Sequence, residues 1–297
     1  MAFTKPMSNQ RRCTGALLMI AAMLIIPVSD GMVKLLSEHH HVLLLNWMRF
    51  CIGGLVFAPF AFVSSRGTVI RTNELFSLSW RAALHVLAIS MYFLAIARIP
   101  IADALGAYFV APIVAVVVAS WYLRESISRL HAVAIAIGFL GAIIVVRPGV
   151  SINLGMIYAV LSGVVFGLFL VLTRKAGKTV APLTTLGLQC IVGTFLLLPV
   201  AICHWAPVPW SDLALIVAAG IIWSFGHLAI VKAFTLAPTS LLAPIVYMEI
   251  VGGAGIGYVL FGDLPGVGTT GGILLVVLAG LLVQYRKTPV SKKVDVV

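Results

Sequence analysis

The sequence predicts an all-α membrane protein: ten transmembrane helices, arranged as two inverted five-helix repeats around a central cavity. Three observations predict it. First, charged residues make up 10% and hydrophobic residues 61% of the 297, whereas a soluble domain carries about 25% charged residues. Second, apolar runs of about 20 residues recur along the whole length, each enough to cross a hydrocarbon layer of roughly 30 Å. Third, one pattern occurs twice. Ala95 to Glu125 reads as the end of a helix, a Pro-marked turn, an apolar helix and a terminal acid, and Ala233 to Asp263 repeats that order 138 residues later. At this offset Ala95 meets Ala233, Pro100 meets Pro238 and Glu125 meets Asp263. A second half built on the plan of the first is a duplicated membrane fold.

The chain opens on a short arm carrying Lys5, Arg11 and Arg12. The first span, 14–36, is longer than a signal-peptide core, carries Asp30 and Lys34, and lacks a clean small-x-small cleavage site, so it reads as a helix of the mature protein. Spans follow at 42–63, 80–97, 101–123 and 130–146, then at 154–172, 182–203, 212–233, 239–261 and 268–285, with a basic tail. Residues 1–149 form the first repeat and 150–297 the second. No segment reads as a separate soluble domain.

The net charge of +11 sits mainly between the apolar runs, so it is a topology signal and calls for no nucleic-acid partner. Ten spans put both termini on one side. Placing them in the cytoplasm puts sixteen of the 20 Lys and Arg there, Arg81 among them, against Lys34, Arg98 and Arg147 outside. The expected location is the inner membrane, multi-pass, with both termini cytoplasmic. Because each repeat has an odd number of spans, the second enters the bilayer with opposite orientation. Lys34 and Arg174, each ending the first helix of its half, fit this inversion.

An ionisable group within a span costs roughly 2.5–3.5 kcal/mol on insertion scales, so such groups mark pathways or internal pairs. Glu249 lies near the midplane of the ninth span. It suits a substrate ammonium or sulfonium, a coupling proton, or a structural bond to a neighbouring helix. Asp30 and Lys34, four apart on one face, read as a local ion pair or as a gate. Arg49 suits a substrate carboxylate, or a resting-state bond to Asp30 or Glu249. Tyr92, Tyr108, Trp223 and Tyr247 lie at mid-span depth, where aromatic faces suit organic cations or plain packing. Trp223 has polar company in His227, one turn away. Asp103 reads as a helix-start cap.

Other chemistry is thinly represented. His39, His40 and His41 are adjacent in a turn, a spacing that does not converge on one ion, so no metal is expected. Cys13, Cys51, Cys190 and Cys203 have no metal or disulfide spacing and read as packing thiols. No Walker loop, nucleophile elbow or HExxH run occurs, so neither an enzyme nor a cofactor is expected. The Gly163xxxGly167 and Gly253xxxGly257 patterns permit close helix packing.

These residues resemble the drug/metabolite transporter superfamily in its ten-helix EamA-like branch. The likeness rests on the segments from Pro100 to Glu125 and Pro238 to Asp263, and on Gly138-Phe139-Leu140-Gly141 followed by Val145 to Gly149. Asp30 with Lys34, Arg49 within Asn46 to Phe50, and Tyr247-Met248-Glu249 are similar to a branch that includes S-adenosylmethionine carriers. Many EamA members carry an acid-proline pair in both repeats. Here Ala111-Pro112 and Glu249-Ile250 each keep one part. The resemblance implies helices one to four and six to nine around the cavity, with the fifth and tenth peripheral near a dimer contact. It also implies a small organic substrate moved without ATP hydrolysis.

The expected function is a secondary transporter of small organic metabolites, amino-acid-like or cationic, working by alternating access, with export favoured. An S-adenosylmethionine-type uptake or exchange carrier is the alternative, and proton coupling through Asp30 or Glu249 stays open. An intramembrane enzyme or receptor on this fold would instead need a nucleophile and base to converge, such as Ser90 and His85.

Overall fold

The computed structural model describes residues 9–64, 72–99, 101–124, 127–146, 154–177 and 179–262, and parts of a helix between 270 and 282. Among the described residues every regular element is an α-helix. In order they are α1 (Asn9–Leu36), α2 (Val42–Ser64), α3 (Thr72–Ile96), α4 (Ile101–Tyr108), α5 (Ala111–Tyr122), α6 (Arg129–Val146), α7 (Leu154–Ala176), α8 (Pro182–Cys203), α9 (Trp210–Leu236), α10 (Thr239–Val246) and α11 (Met248–Phe261). Among the described residues, eight segments are long and apolar enough to cross a bilayer: α1, α2, α3, α4 with α5, α7, α8, α9, and α10 with α11. The shorter apolar stretch Ala132–Gly141 lies within α6. Most of the expected tenth span, with Pro100, Glu125, Arg147 and Asp263, lies outside the described residues.

The burial pattern turns a soluble protein inside out. Leu55, Phe62, Trp121 and Val259 face outward, while Asp30, Arg49, Arg81, His85, Gln189, His227 and Glu249 are buried. Periodicity decides which side of a helix carries which. On α3, Phe76, Trp80 and Leu87 are exposed, whereas Arg81 and His85, one turn apart, are buried.

Two expected spans are not single helices. The fourth divides between α4 and α5 at Phe109 and Val110, and the ninth divides between α10 and α11 at Tyr247. Pro112 explains the first break: it has no N–H, and its ring crowds the carbonyl four residues back, that of Tyr108. The glycines of α7 receive the displaced backbone. A Cβ at Gly163 would run into the carbonyl oxygen of Tyr108, and one at Gly167 would stand 2.7 Å from that of Ala111. At the second break Pro244 lies three residues upstream of Tyr247, which keeps right-handed helical angles (φ −60°, ψ −19°), so the departure is a single loosened turn.

The packing places α1 against α9, α3 against α7 and α2 against α8 as the most extensive pairs. Swapping first-half for second-half helices leaves this pattern unchanged, because α1 with α9 becomes α7 with α3. A side-chain hydrogen bond bridges each of these two pairs, at different heights along the helices. The Ser29 hydroxyl of α1 donates to the Ala219 carbonyl of α9 at 2.8 Å, and the Ser162 hydroxyl of α7 donates to the Ala88 carbonyl of α3 at 2.7 Å.

Candidate functional site: a buried cavity between two helix breaks

The central cavity draws its polar lining from both halves of the chain: Asp30 of α1, His85 and Tyr92 of α3, Tyr108 of α4, His227 of α9 and Glu249 of α11. Helix spacing aims these groups together. Met23, Ile26 and Asp30, at intervals of three and four, present one face of α1 to the cavity. Glu249 lies in the first turn of α11, a helix start that exists because the ninth span is broken there.

The cavity is narrow. About 20 Å³ is open to the centre of a water-sized sphere, within some 330 Å³ of space between atoms. A water needs about 10–15 Å³ by the first measure, so the space holds one or two waters and no organic metabolite. Among the described residues, the space that Asp30 and Glu249 share is thus far smaller than the roomy aqueous pocket that the fold class leads one to expect.

The buried charges are arranged across helices. Arg49 Nη1 donates to Asp30 Oδ1 at 3.1 Å, with both side chains almost fully buried. The guanidinium lies between two rings, 4.8 Å from the Phe93 centroid and 5.1 Å from that of Trp223. Asp30 therefore pairs with Arg49 of the next helix. The expected local pair with Lys34 is not what closes here, for Lys34 lies over the Phe261 ring at 5.5 Å.

Beside this pair, His85 and His227 meet with ring centroids 4.4 Å apart. Trp223 lies 4.6 Å from His227, as their one-turn spacing implies, and 5.8 Å from His85. Phe169 covers the other side of His85 at 4.5 Å. Below it stands Arg81. It was expected in a cytoplasmic connection, but α3 begins at Thr72 and carries Arg81 into the interior. Its Nε donates to Thr173 Oγ1 and its Nη2 to Gln189 Oε1, both at 2.8 Å, and its guanidinium lies 4.7 Å from the Phe169 centroid. The two recorded ion pairs among the described residues join Arg49 to Asp30 and His40 to Asp212, so neither Arg81 nor Glu249 belongs to one.

Many polar atoms here have no protein partner: Nε and Nη2 of Arg49, Nη1 of Arg81, both ring nitrogens of His85, Nδ1 of His227, Nε1 of Trp223 and Nε2 of Gln189. An unsatisfied buried group costs about 1–3 kcal/mol. Retaining several in one place marks a region set up for something beyond its own fold.

Of the residues singled out from sequence, Asp30, Tyr92, Tyr108, His227 and Glu249 line the cavity. Arg49 and Trp223 stand directly behind that lining. Lys34 lies towards the end of α1, and Tyr247 packs on Phe109 at 5.3 Å without reaching the cavity. His85 and Arg81 complete the cluster. Leu75, Phe76, Leu78 and Trp80, interrupted only by Ser77 and Ser79, are the signal that would have carried the span back past Arg81. Ser90 does not meet His85; its hydroxyl accepts from Asn46 Nδ2 at 3.2 Å.

The three adjacent histidines diverge. His40 Nε2 bonds Asp212 Oδ2 at 2.8 Å, and His41 stacks on His204 with centroids 3.7 Å apart. These contacts tie the α1–α2 turn to the end of α8 and the start of α9. No group of three metal-ligating side chains occurs among the described residues.

A membrane-length helical bundle enclosing a closed, charged cavity is the build of a membrane carrier. The sequence profile of the EamA-like transporter family matches residues 13–147 and again 153–285, and the chain belongs to that family. It is 26% identical to an S-adenosylmethionine uptake transporter of Rickettsia felis over 89% of this chain and 90% of that one. It is 26% identical to a pseudopaline exporter of Pseudomonas aeruginosa, over 92% and 97%. It is 22% identical to a riboflavin transporter of Vibrio cholerae, over 94% and 95%. A solved crystal structure at 18% identity superposes with a TM-score of 0.76 over 92% of this chain and 97% of the other. The protein is thus a multi-span membrane transporter of small molecules and not an enzyme.

Proposed function

We propose that the chain is a secondary transporter for amino-acid-like or cationic metabolites, with S-adenosylmethionine-type compounds as the leading candidates, working by alternating access across the inner membrane. The observation that carries this reading is the lining itself. Asp30 from the first half and Glu249 from the second face one cavity, beside the rings of Tyr92 and Tyr108. Asp30 is neutralised by Arg49, whereas Glu249 has no recorded ion pair. A carboxylate without a counter-charge next to aromatic faces is a site for an ammonium or sulfonium. The names of the Rickettsia relatives point to the same class of cargo.

The architecture proposed is ten spans in two inverted halves, with α6 and the helix between 270 and 282 as the fifth and tenth. The exchange-invariant helix pairing supports it. So do the paired profile matches. Two halves that swap unequal shapes would open the closed cavity to one face and then the other. Both termini are placed in the cytoplasm on the charge distribution. A homodimer through the peripheral fifth and tenth spans is part of the same reading.

Direction follows from charge. A monocation gains about 2.3 kcal/mol on entering a cell at 100 mV, inside negative. Uncoupled transport of a net cation therefore runs inward, and export requires a coupled proton, for which Glu249 is the candidate carrier. The test is flux of radiolabelled S-adenosylmethionine into proteoliposomes under an imposed potential or an imposed pH gradient. Wild type should transport it, with at least a tenfold loss in Glu249→Gln. No flux of any compound from a broad metabolite panel, or full flux in Glu249→Gln, contradicts the reading.

A further inference from the structure

We infer that Arg81 is the anion-reading subsite of this transporter, taking a substrate carboxylate between its own guanidinium and the Gln189 amide. The inference deepens the function proposed above and rests on it for the identity of the cargo. Its own ground is the distribution of donors around the cavity.

Glu249, Tyr92 and Tyr108 line the cavity. Behind the lining, around His85, the unpartnered atoms are mainly donors. Arg81 Nη1 and Gln189 Nε2 are donor-only and buried, and Trp223 Nε1 is another; His85 adds a ring nitrogen of either role. Arg49 has the charge for the same task, but it is committed to Asp30 and held between Phe93 and Trp223. Arg81 is held by neutral acceptors, Thr173 Oγ1 and Gln189 Oε1, so its charge has no anionic partner among the recorded ion pairs. These two bonds fix the plane of the guanidinium and leave its Nη1 edge for an acceptor-rich group. A carboxylate matches that fork and the adjacent amide.

The position along the fold agrees. Arg81, His85, Ile89 and Tyr92 fall on one face of α3, which runs about 16 Å from cation to phenol at 1.5 Å per residue. His85, Ile89 and Tyr92 line the central cavity. One turn to the other side of Arg81, Ser77 and Leu78 line a surface cleft of about 270 Å³ with Glu74, Lys175 and Thr179. Arg81 thus stands between this surface cleft and the cavity, with Phe169 packed against both it and His85. A ligand passing along α3 would meet Arg81 with its carboxylate and Glu249 with its cation in turn, because an amino-acid group is much shorter than that run.

The test compares S-adenosylmethionine with its decarboxylated counterpart, which keeps the sulfonium and ammonium and lacks the carboxylate. Binding to detergent-purified full-length protein is measured by calorimetry. Wild type should prefer the carboxylated compound by about tenfold to a hundredfold, the range expected for hydrogen bonds to a charged group. Arg81→Gln should bring that ratio close to one while keeping affinity for the decarboxylated compound, and Arg81→Lys should restore part of it. Gln189→Leu, which leaves the cation in place, should lower the ratio by a smaller factor if Arg81→Gln does not fold. Wild type binding both compounds equally overturns the subsite and leaves the cation reading intact. Wild type binding neither overturns the proposed cargo. The subsite is then read with 4-methylthiobutyrate, a simple carboxylate. Protection of wild type against thermal unfolding that is absent in Arg81→Gln supports it, and equal effects on both overturn it.

Discussion

The Arg49–Asp30 pair offers the most quantitative test of how the core holds its charges. A separation of 3.1 Å gives ~5 kcal/mol of attraction at an effective dielectric of about 20. The flanking rings of Phe93 and Trp223 add about 1–2 kcal/mol between them at 4.8 and 5.1 Å. Desolvation of two buried ions offsets most of this, so replacing both is milder than replacing one. Arg49→Met leaves Asp30 buried without a cation and should lower stability by about 3–5 kcal/mol. Asp30→Asn strands the guanidinium, with a loss of similar size. The double variant should recover about 2–3 kcal/mol relative to the sum of the singles. The assay is a double-mutant cycle by denaturant unfolding in detergent, followed by tryptophan fluorescence. Singles within 1 kcal/mol of wild type, or a coupling below about 0.5 kcal/mol, would refute the claim that the pair is mutually dependent.

Two further outcomes follow from the packing and from the outer histidines. Gly163→Ala drives a methyl into the Tyr108 carbonyl and should destabilise by about 1–3 kcal/mol. Gly255→Ala, on an open face of α11 with nothing within 4 Å, should stabilise by about 0.5–1 kcal/mol; thermal unfolding separates the two, and equal signs would contradict the packing described. His41 is held below the usual histidine value by partial burial, then by His204 and Arg98. Its proton is therefore bound more weakly in the folded state, and stability present above about pH 6.5 is lost as pH falls through that value. The apparent melting midpoint of wild type should drop more steeply between pH 7.5 and 5.5 than that of His41→Gln, and identical slopes would exclude the effect.

Hydropathy and helical spacing made the membrane helices, the family and the pairing of Trp223 with His227 legible in the sequence, because each depends on one helix alone. Glu249 was legible for the same reason: a lone acid deep in an apolar run has few places to go. What lay beyond reach was set between helices. The sequence offered Asp30 two partners, Lys34 on its own helix and Arg49 on the next, and only the geometry of α1 and α2 selects Arg49. Arg81 looked like a connecting charge because it follows Trp80 at the polar margin of a span, while α3 in fact starts at Thr72. Pro112 entered the sequence reading only as half of an acid-proline pair, within a span taken as continuous; the break shows in the fit of Gly163 under the Tyr108 carbonyl. The closed volume of the cavity depends on side-chain packing and left no mark on the sequence at all.

The account depends on the cavity being reached from both sides of the membrane in turn. Its most direct measurement places a single cysteine at Ile89, which lines the cavity, in protein lacking the four native cysteines. A membrane-impermeant maleimide is then applied from each side of oriented proteoliposomes. The account predicts that Ile89→Cys is labelled from either side and protected by S-adenosylmethionine. Labelling from one side alone, unaffected by any cargo, would contradict it.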